Sequence, residues 1–122
     1  MIRTLLLLSL FASCTSSPSG ATCPDSNAPT YGSFGQTFMA TYCTDCHSST
    51  ATNRHSAPSD INFDSMDDIR THLTDIDVEA AAGPSATNTA MPELDAKVTK
   101  TPTQAEREML GQFLACAKEV KN

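Results

Sequence analysis

Cys43-Thr44-Asp45-Cys46-His47 is the run in this 122-residue chain whose residue types and spacing point to a definite chemistry. Two thiols at i and i+3 stand about one helical turn apart. At that spacing they can add to the two vinyl groups of a single haem, forming thioethers. The next residue, His47, is then held under the iron, where its imidazole can ligate. Cys43 and Cys46 are therefore the expected covalent attachments of one haem c, and His47 the expected proximal iron ligand. Other uses of the same letters ask for more than the chain offers. A thioredoxin-type dithiol wants a βαβ setting, and none is readable. A zinc site needs four ligands, and His55 could add only one. A disulfide between Cys43 and Cys46 would close within one turn and constrain little.

The composition narrows the partners. With 8 Lys+Arg against 14 Asp+Glu, the net charge is -6 and no basic run exists, so nucleic acid is excluded as a partner. Hydrophobic residues make up 39% and charged residues 18%, which is the composition of a folding chain. Trp is absent and aromatics are only 6%, so the core must be aliphatic or be completed by something else. No carboxylate pair stands out as acid and base, and no Ser/His/Asp set or Gly-rich phosphate loop is readable.

Three or four helices are expected to position the motif. Ser33 with Gln36 reads as a capping box, and Phe34, Phe38 and Tyr42 then recur at helical spacing, predicting a helix that ends near His47. Gly35 weakens its first turn. Ser48 to Pro58 is polar loop, and Ile61 and Phe63 form a short extended step. Ser65 caps a second helix whose apolar face is Met66, Ile69, Leu73 and Ile76, with Asp67 and Asp68 favourable in the first turn. A further turn over Val78–Ala82 stops at Gly83-Pro84. Residues 83–101 read as loop. Thr103 with Glu106 opens a last helix with Met109, Leu110, Phe113, Leu114, Ala117 and Val120 on one face. Met39, Met66 and Met109 are expected as core filler. No strand-period run appears, so the fold class is all-α.

Residues 1–13 are read as a signal peptide. Arg3 is a minimal positive region, and the apolar run Thr4–Ala12 is too short to cross a bilayer as a helix. Phe11-Ala12-Ser13-Cys14 resembles the bacterial lipobox, in which the Cys is acylated and becomes the new N-terminus, although Phe11 stands where Leu is usual. The resemblance implies a lipid on Cys14 and a protein exported to the periplasmic side of a bacterial membrane and anchored there. The other reading is an ordinary secretory signal with Cys14 lost or left as a thiol. Residues 14–30, rich in Ser, Thr and Pro, are expected to form a flexible tether, ordered only where Cys23 is tied down.

From about residue 31 to the end, the chain resembles the class I c-type cytochromes. The features that carry this are the helix ending in CTDCH, a middle helix, Ala90-Met91-Pro92 in a loop, and a last helix opened by TPTQAE. The resemblance implies a cytochrome c domain over 31–122, with the first and last helices crossing and three to four helices and long loops enclosing one covalently bound haem. It implies Met91 as the distal iron ligand, and a membrane-tethered one-electron carrier serving redox partner proteins. Pro92 agrees with this role, since it restrains the residue before it and stiffens the loop. A thioether is a soft neutral ligand that favours ferrous iron. His72, flanking the face of the middle helix, and His55 are rival sixth ligands. An iron with an open sixth position, in a haem sensor or an enzyme subunit, is the alternative function. The resemblance also places Cys23 and Cys116 near each other, where an exported chain would bond them.

Overall fold

Thr30 starts the first helix. It is extended at φ -111° and ψ 170°; its hydroxyl accepts from Ser33 N–H at 3.1 Å, and the Ser33 hydroxyl accepts from Thr30 N–H at 2.9 Å. This reciprocal cap sits earlier than the expected Ser33/Gln36 box, because Ser33 is the returning partner and not the cap. A π-helical turn, Tyr31–Gly35, runs directly into α1, Gln36–Tyr42. The helix stops before the motif and not at His47, because Cys43 leaves helical geometry at φ -121°.

The structure is a computed structural model that describes residues 17–94 and 98–119. Within it the chain is all-α, with α2 at Met66–Thr71, α3 at Leu73–Ala80 and α4 at Gln104–Glu119. Among the described residues the only β pairing is an isolated bridge between Ala82 and Thr87. The Ser65 cap and the Thr103/Glu106 box both form, with Asp68 N–H and Glu106 N–H each 3.2 Å from the capping hydroxyl. The middle segment is two short helices, broken at His72 (φ -126°, ψ 22°). There Thr71 turns its hydroxyl back to Asp68 C=O at 2.7 Å, and His72 N–H bonds Ile69 C=O.

The π-helical turn packs against α4, and α3 lies along α4. Phe38, Met39, Phe63, Ile69, Ile76, Leu110, Phe113 and Leu114 are buried between them. Phe34 meets Phe113 edge-on at 6.1 Å and Phe38 at 5.2 Å, and Tyr42 donates to Glu106 Oε1 at 3.0 Å, tying the end of α1 to the start of α4. Met39 fills the core as expected and Met66 is half-buried, but Met109 is exposed at 44% because it points off the buried stripe of α4. Val120 lies outside the described residues.

Residues 17–30 do not hang free as the tether expected over 14–30. Ser19 and Ala21 are buried, and Ser19 donates through N–H and hydroxyl to the two Asp77 carboxylate oxygens at 2.6 and 2.9 Å. Gly20 takes φ +76° to let the segment turn, and Cys23 is disulfide-bonded to Cys116 of α4 with Cα atoms 4.6 Å apart. The signal segment 1–13 and Cys14 lie outside the described residues. No described helix is long and apolar enough to cross a membrane.

Two outcomes follow for stability. Gly35 has ordinary helical angles (φ -57°, ψ -46°), yet a Cβ there would lie 2.6 Å from the Phe113 ring. Helix propensity favours Gly35→Ala by up to ~1 kcal/mol, whereas overpacking against a buried ring costs about 1–3 kcal/mol. A net loss of stability is expected, read as a lower denaturant midpoint; a gain would show that the ring yields. Replacing Cys23 and Cys116 with Ala opens a ring of sequence separation 93 and should cost up to roughly 4–5 kcal/mol in the same assay.

Candidate functional site

After α1 the chain makes one tight turn that holds the motif. Cys43 and Thr44 N–H both bond Met39 C=O, and Cys46 and His47 N–H both bond Cys43 C=O, at 3.2 and 2.8 Å. Cys43 and Cys46 are thiols, each partly buried. Desolvation, with the neighbouring Cys46 adding to it, pushes the Cys43 thiol up to about 12, while the Arg107 guanidinium pulls the other way. A thiol so placed stays neutral, the opposite of an activated dithiol nucleophile.

His47 is oriented from two sides. Its Nδ1 lies 3.1 Å from Ile61 C=O, and because a carbonyl only accepts, the hydrogen sits on Nδ1 and Nε2 keeps its lone pair. Burial lowers the His47 pKa, partly opposed by that hydrogen bond, so the neutral form is favoured. The Phe63 ring lies 4.9 Å from the imidazole, and Phe63 N–H bonds His47 C=O at 2.9 Å. His72 meets Phe63 edge-on at 6.1 Å and bonds Asp75.

The loop after the motif is gathered by Arg54. Its guanidinium donates to Ser48 C=O, Pro58 C=O, Asn62 Oδ1 at 2.9 Å and Ile61 C=O at 2.9 Å. Ser48 is buried by this arrangement; Ser49 donates its N–H to Asp64 Oδ2 at 2.8 Å, and Ser48 and Ser49 hold the Asp64 carboxyl below its ordinary range. His55 stands on the exposed part of the loop at φ +48°.

Met91 is placed by its backbone. Its N–H bonds Glu79 C=O at 2.8 Å, and its carbonyl receives Arg107 Nη1 at 2.9 Å. The same nitrogen donates to Ala80 C=O and Asn88 C=O at 2.8 and 2.9 Å. Arg107 is 4% exposed and spends one guanidinium nitrogen on these three carbonyls, which fixes the Met91 loop to the end of α3. The Met91 side chain is 36% exposed and is not part of the buried core. Beside it, a cavity of about 520 Å³ opens between Ala90, Pro92, Leu94 and Arg107. His47 does not line that cavity.

The structure therefore brings Cys43, Cys46 and His47 together and bonds Cys23 to Cys116, while Met91 is held by Glu79 and Arg107, apart from the motif turn. Among the described residues no three His, Cys, Asp or Glu side chains converge on one point. The donor set suits a macrocycle that brings its own four nitrogens: the two thiols, one neutral imidazole with Nε2 available, and a surround of apolar side chains only partly covered. Ile61, Met66, Leu73, Tyr42 and Cys43 all pack on the core yet keep exposed surface. Arg54 and Arg107 escape a reading by residue type, because neither has a carboxylate at ion-pair spacing and both act on backbone carbonyls.

Arg107→Met should leave the carbonyls of Ala80, Asn88 and Met91 short of a donor, at about 1–3 kcal/mol for each that water cannot reach. Hydrogen exchange is expected to speed up at Asn88 and Met91 while the Cys43–His47 turn stays protected. Unchanged exchange at Met91 would mean that Glu79 alone holds the loop.

No protein-family model, no curated protein and no solved structure matches this chain.

Proposed function

We propose that this chain is a mono-haem cytochrome c that carries single electrons on the periplasmic side of a bacterial membrane, tethered through a lipid on Cys14. The observation that carries the reading is the Cys43/Cys46/His47 turn, in which the imidazole donates Nδ1–H to Ile61 C=O at 3.1 Å and keeps Nε2 for a metal. Metal-bound histidines characteristically donate the other ring nitrogen to a carbonyl or carboxylate in this way. The raised Cys43 pKa weighs against a catalytic dithiol.

In this reading Cys43 and Cys46 hold the haem covalently and His47 ligates its iron. Phe63 shields one side of the imidazole from water. Met91 is the sixth ligand, delivered by a loop whose backbone Arg107 and Glu79 hold. A haem bound there would supply a one-electron iron centre. Thr44 and Asp45 border the two cysteines, with Asp45 exposed, so a redox partner would meet a polar rim. If Cys14 carries lipid, the buried Ser19 leaves five residue steps, at most about 18 Å, between membrane and domain. The 36% exposure of Met91 favours a second reading, a haem sensor or enzyme subunit with the sixth position open.

Expression in a cell envelope with a haem-attachment apparatus tests both. Haem that stays on the chain after denaturation, and is lost in the Cys43→Ala/Cys46→Ala variant, is expected. A chain that acquires no covalent haem rejects the proposal. Met91→Ala should keep its haem, lower the reduction potential and admit carbon monoxide in the reduced state. Wild-type protein that already binds carbon monoxide freely would select the open-site reading.

A further inference from the structure

The Ile61 carbonyl serves two donors. His47 Nδ1 lies 3.1 Å from it, and Arg54 Nη2 lies 2.9 Å from it. A carbonyl oxygen has two lone pairs and can accept both. The two bonds are unequal in kind: the guanidinium is a full cation with fixed fork geometry, so its bond is charge-assisted and draws harder on the oxygen. What remains for the imidazole is a weaker acceptor. The acceptor matters, because a stronger one on Nδ1–H raises the basicity of the other ring nitrogen.

Arg54 is not a loose surface cation reaching this oxygen by accident. Its Nη1 is fixed by Ser48 C=O and Asn62 Oδ1, its Nη2 also reaches Pro58 C=O, and its Nε donates to Ala57 C=O at 3.4 Å. These partners span the loop from the residue after His47 to the residue after Ile61. The guanidinium is thus held against the ligand side of the site by the loop that it organises.

We propose that Arg54 would tune a haem held at His47: by sharing the Ile61 carbonyl with His47 it weakens the His47 Nδ1–H bond and keeps a positive charge beside that imidazole, and both would raise the reduction potential. This rests on the haem reading above. A less basic imidazole stabilises ferric iron less, and a nearby cation disfavours the state with the extra positive charge, so the two effects share a sign. Arg54 is a positioning residue in this scheme, since it acts through Ile61 and touches no reacting atom.

The test pairs two measurements on wild type, Arg54→Gln and Arg54→Lys. Redox titration of the haem-loaded proteins should give a lower potential for Arg54→Gln and an intermediate one for Arg54→Lys, which keeps the charge but loses the fork. In the haem-free chain, NMR of the His47 Nδ1–H proton should move to lower field in Arg54→Gln, reporting a stronger bond to Ile61. A merely structural role would not move that proton toward a stronger bond. A loaded Arg54→Gln protein with wild-type or higher potential overturns the proposal, as does an unshifted Nδ1–H. Should Arg54→Gln fail to fold, Arg54→Lys decides alone: a lower potential with a lower-field proton supports the proposal, and wild-type values reject it. A wild-type chain that takes up no haem rejects the function itself, which a haem-loaded chain indifferent to Arg54 does not.

Discussion

Arg107 places a full positive charge inside the domain, and the long loop between α3 and α4 is arranged around it. Residues 83–103 contain few apolar side chains, so burial cannot shape them. One guanidinium nitrogen instead collects the carbonyls of Ala80, Asn88 and Met91. Ala80 ends α3, where a helix leaves its last carbonyls without intrahelical donors, so one contact finishes a helix and the others fix the loop. The desolvation of the cation is offset because each bond to it is charge-assisted. The backbone of the same residue accepts from Ala82 N–H at 2.9 Å, which docks the α3 exit on α4. The backbone position of Met91 depends on this knot.

The loop after His47 repeats the device with Arg54. Both loops are thus built by a cation converging on carbonyls, while the helices keep the aromatic and aliphatic groups. Such a division suits a chain without Trp and with few aromatics, whose apolar material is enough for one helix-bounded core and little else. The partly covered Ile61, Met66 and Leu73 lie where that core runs out, and the Ile61 carbonyl there meets His47.

The helices were legible because their signals are local. Ser65 with its acidic first turn, Thr103 with Glu106, and the stripe Leu110, Phe113, Leu114, Ala117 each specify an element within a few residues. The C-x-x-C-H turn was legible for the same reason. Boundaries moved where two local signals competed, as at Thr30 and Ser33, or where a side chain turned on its own backbone, as Thr71 does at the His72 break. The order of residues 17–23 was not readable: a Ser/Pro/Gly stretch has tether composition, and only the fold brings Asp77 within reach of Ser19. Gly35 looked like a weak helical residue, and its reason is the Phe113 ring, far along the chain. The same holds for Arg54 and Arg107, whose partners, Asn62 Oδ1 apart, are main-chain carbonyls that carry no signature in residue type.

The bond between Cys23 and Cys116 turns the described domain into a covalent ring, with only short ends outside it. A protease that cuts the exposed stretch around Thr52–Asp60 would therefore open the backbone without making two molecules. The two pieces stay joined far from the cut, and each sees the other at the effective concentration of a linked pair, of millimolar order for a short flexible link. Their reassociation is unimolecular and independent of dilution. The nicked chain would behave as a two-chain protein until it met a reductant, at which point dilution would begin to matter.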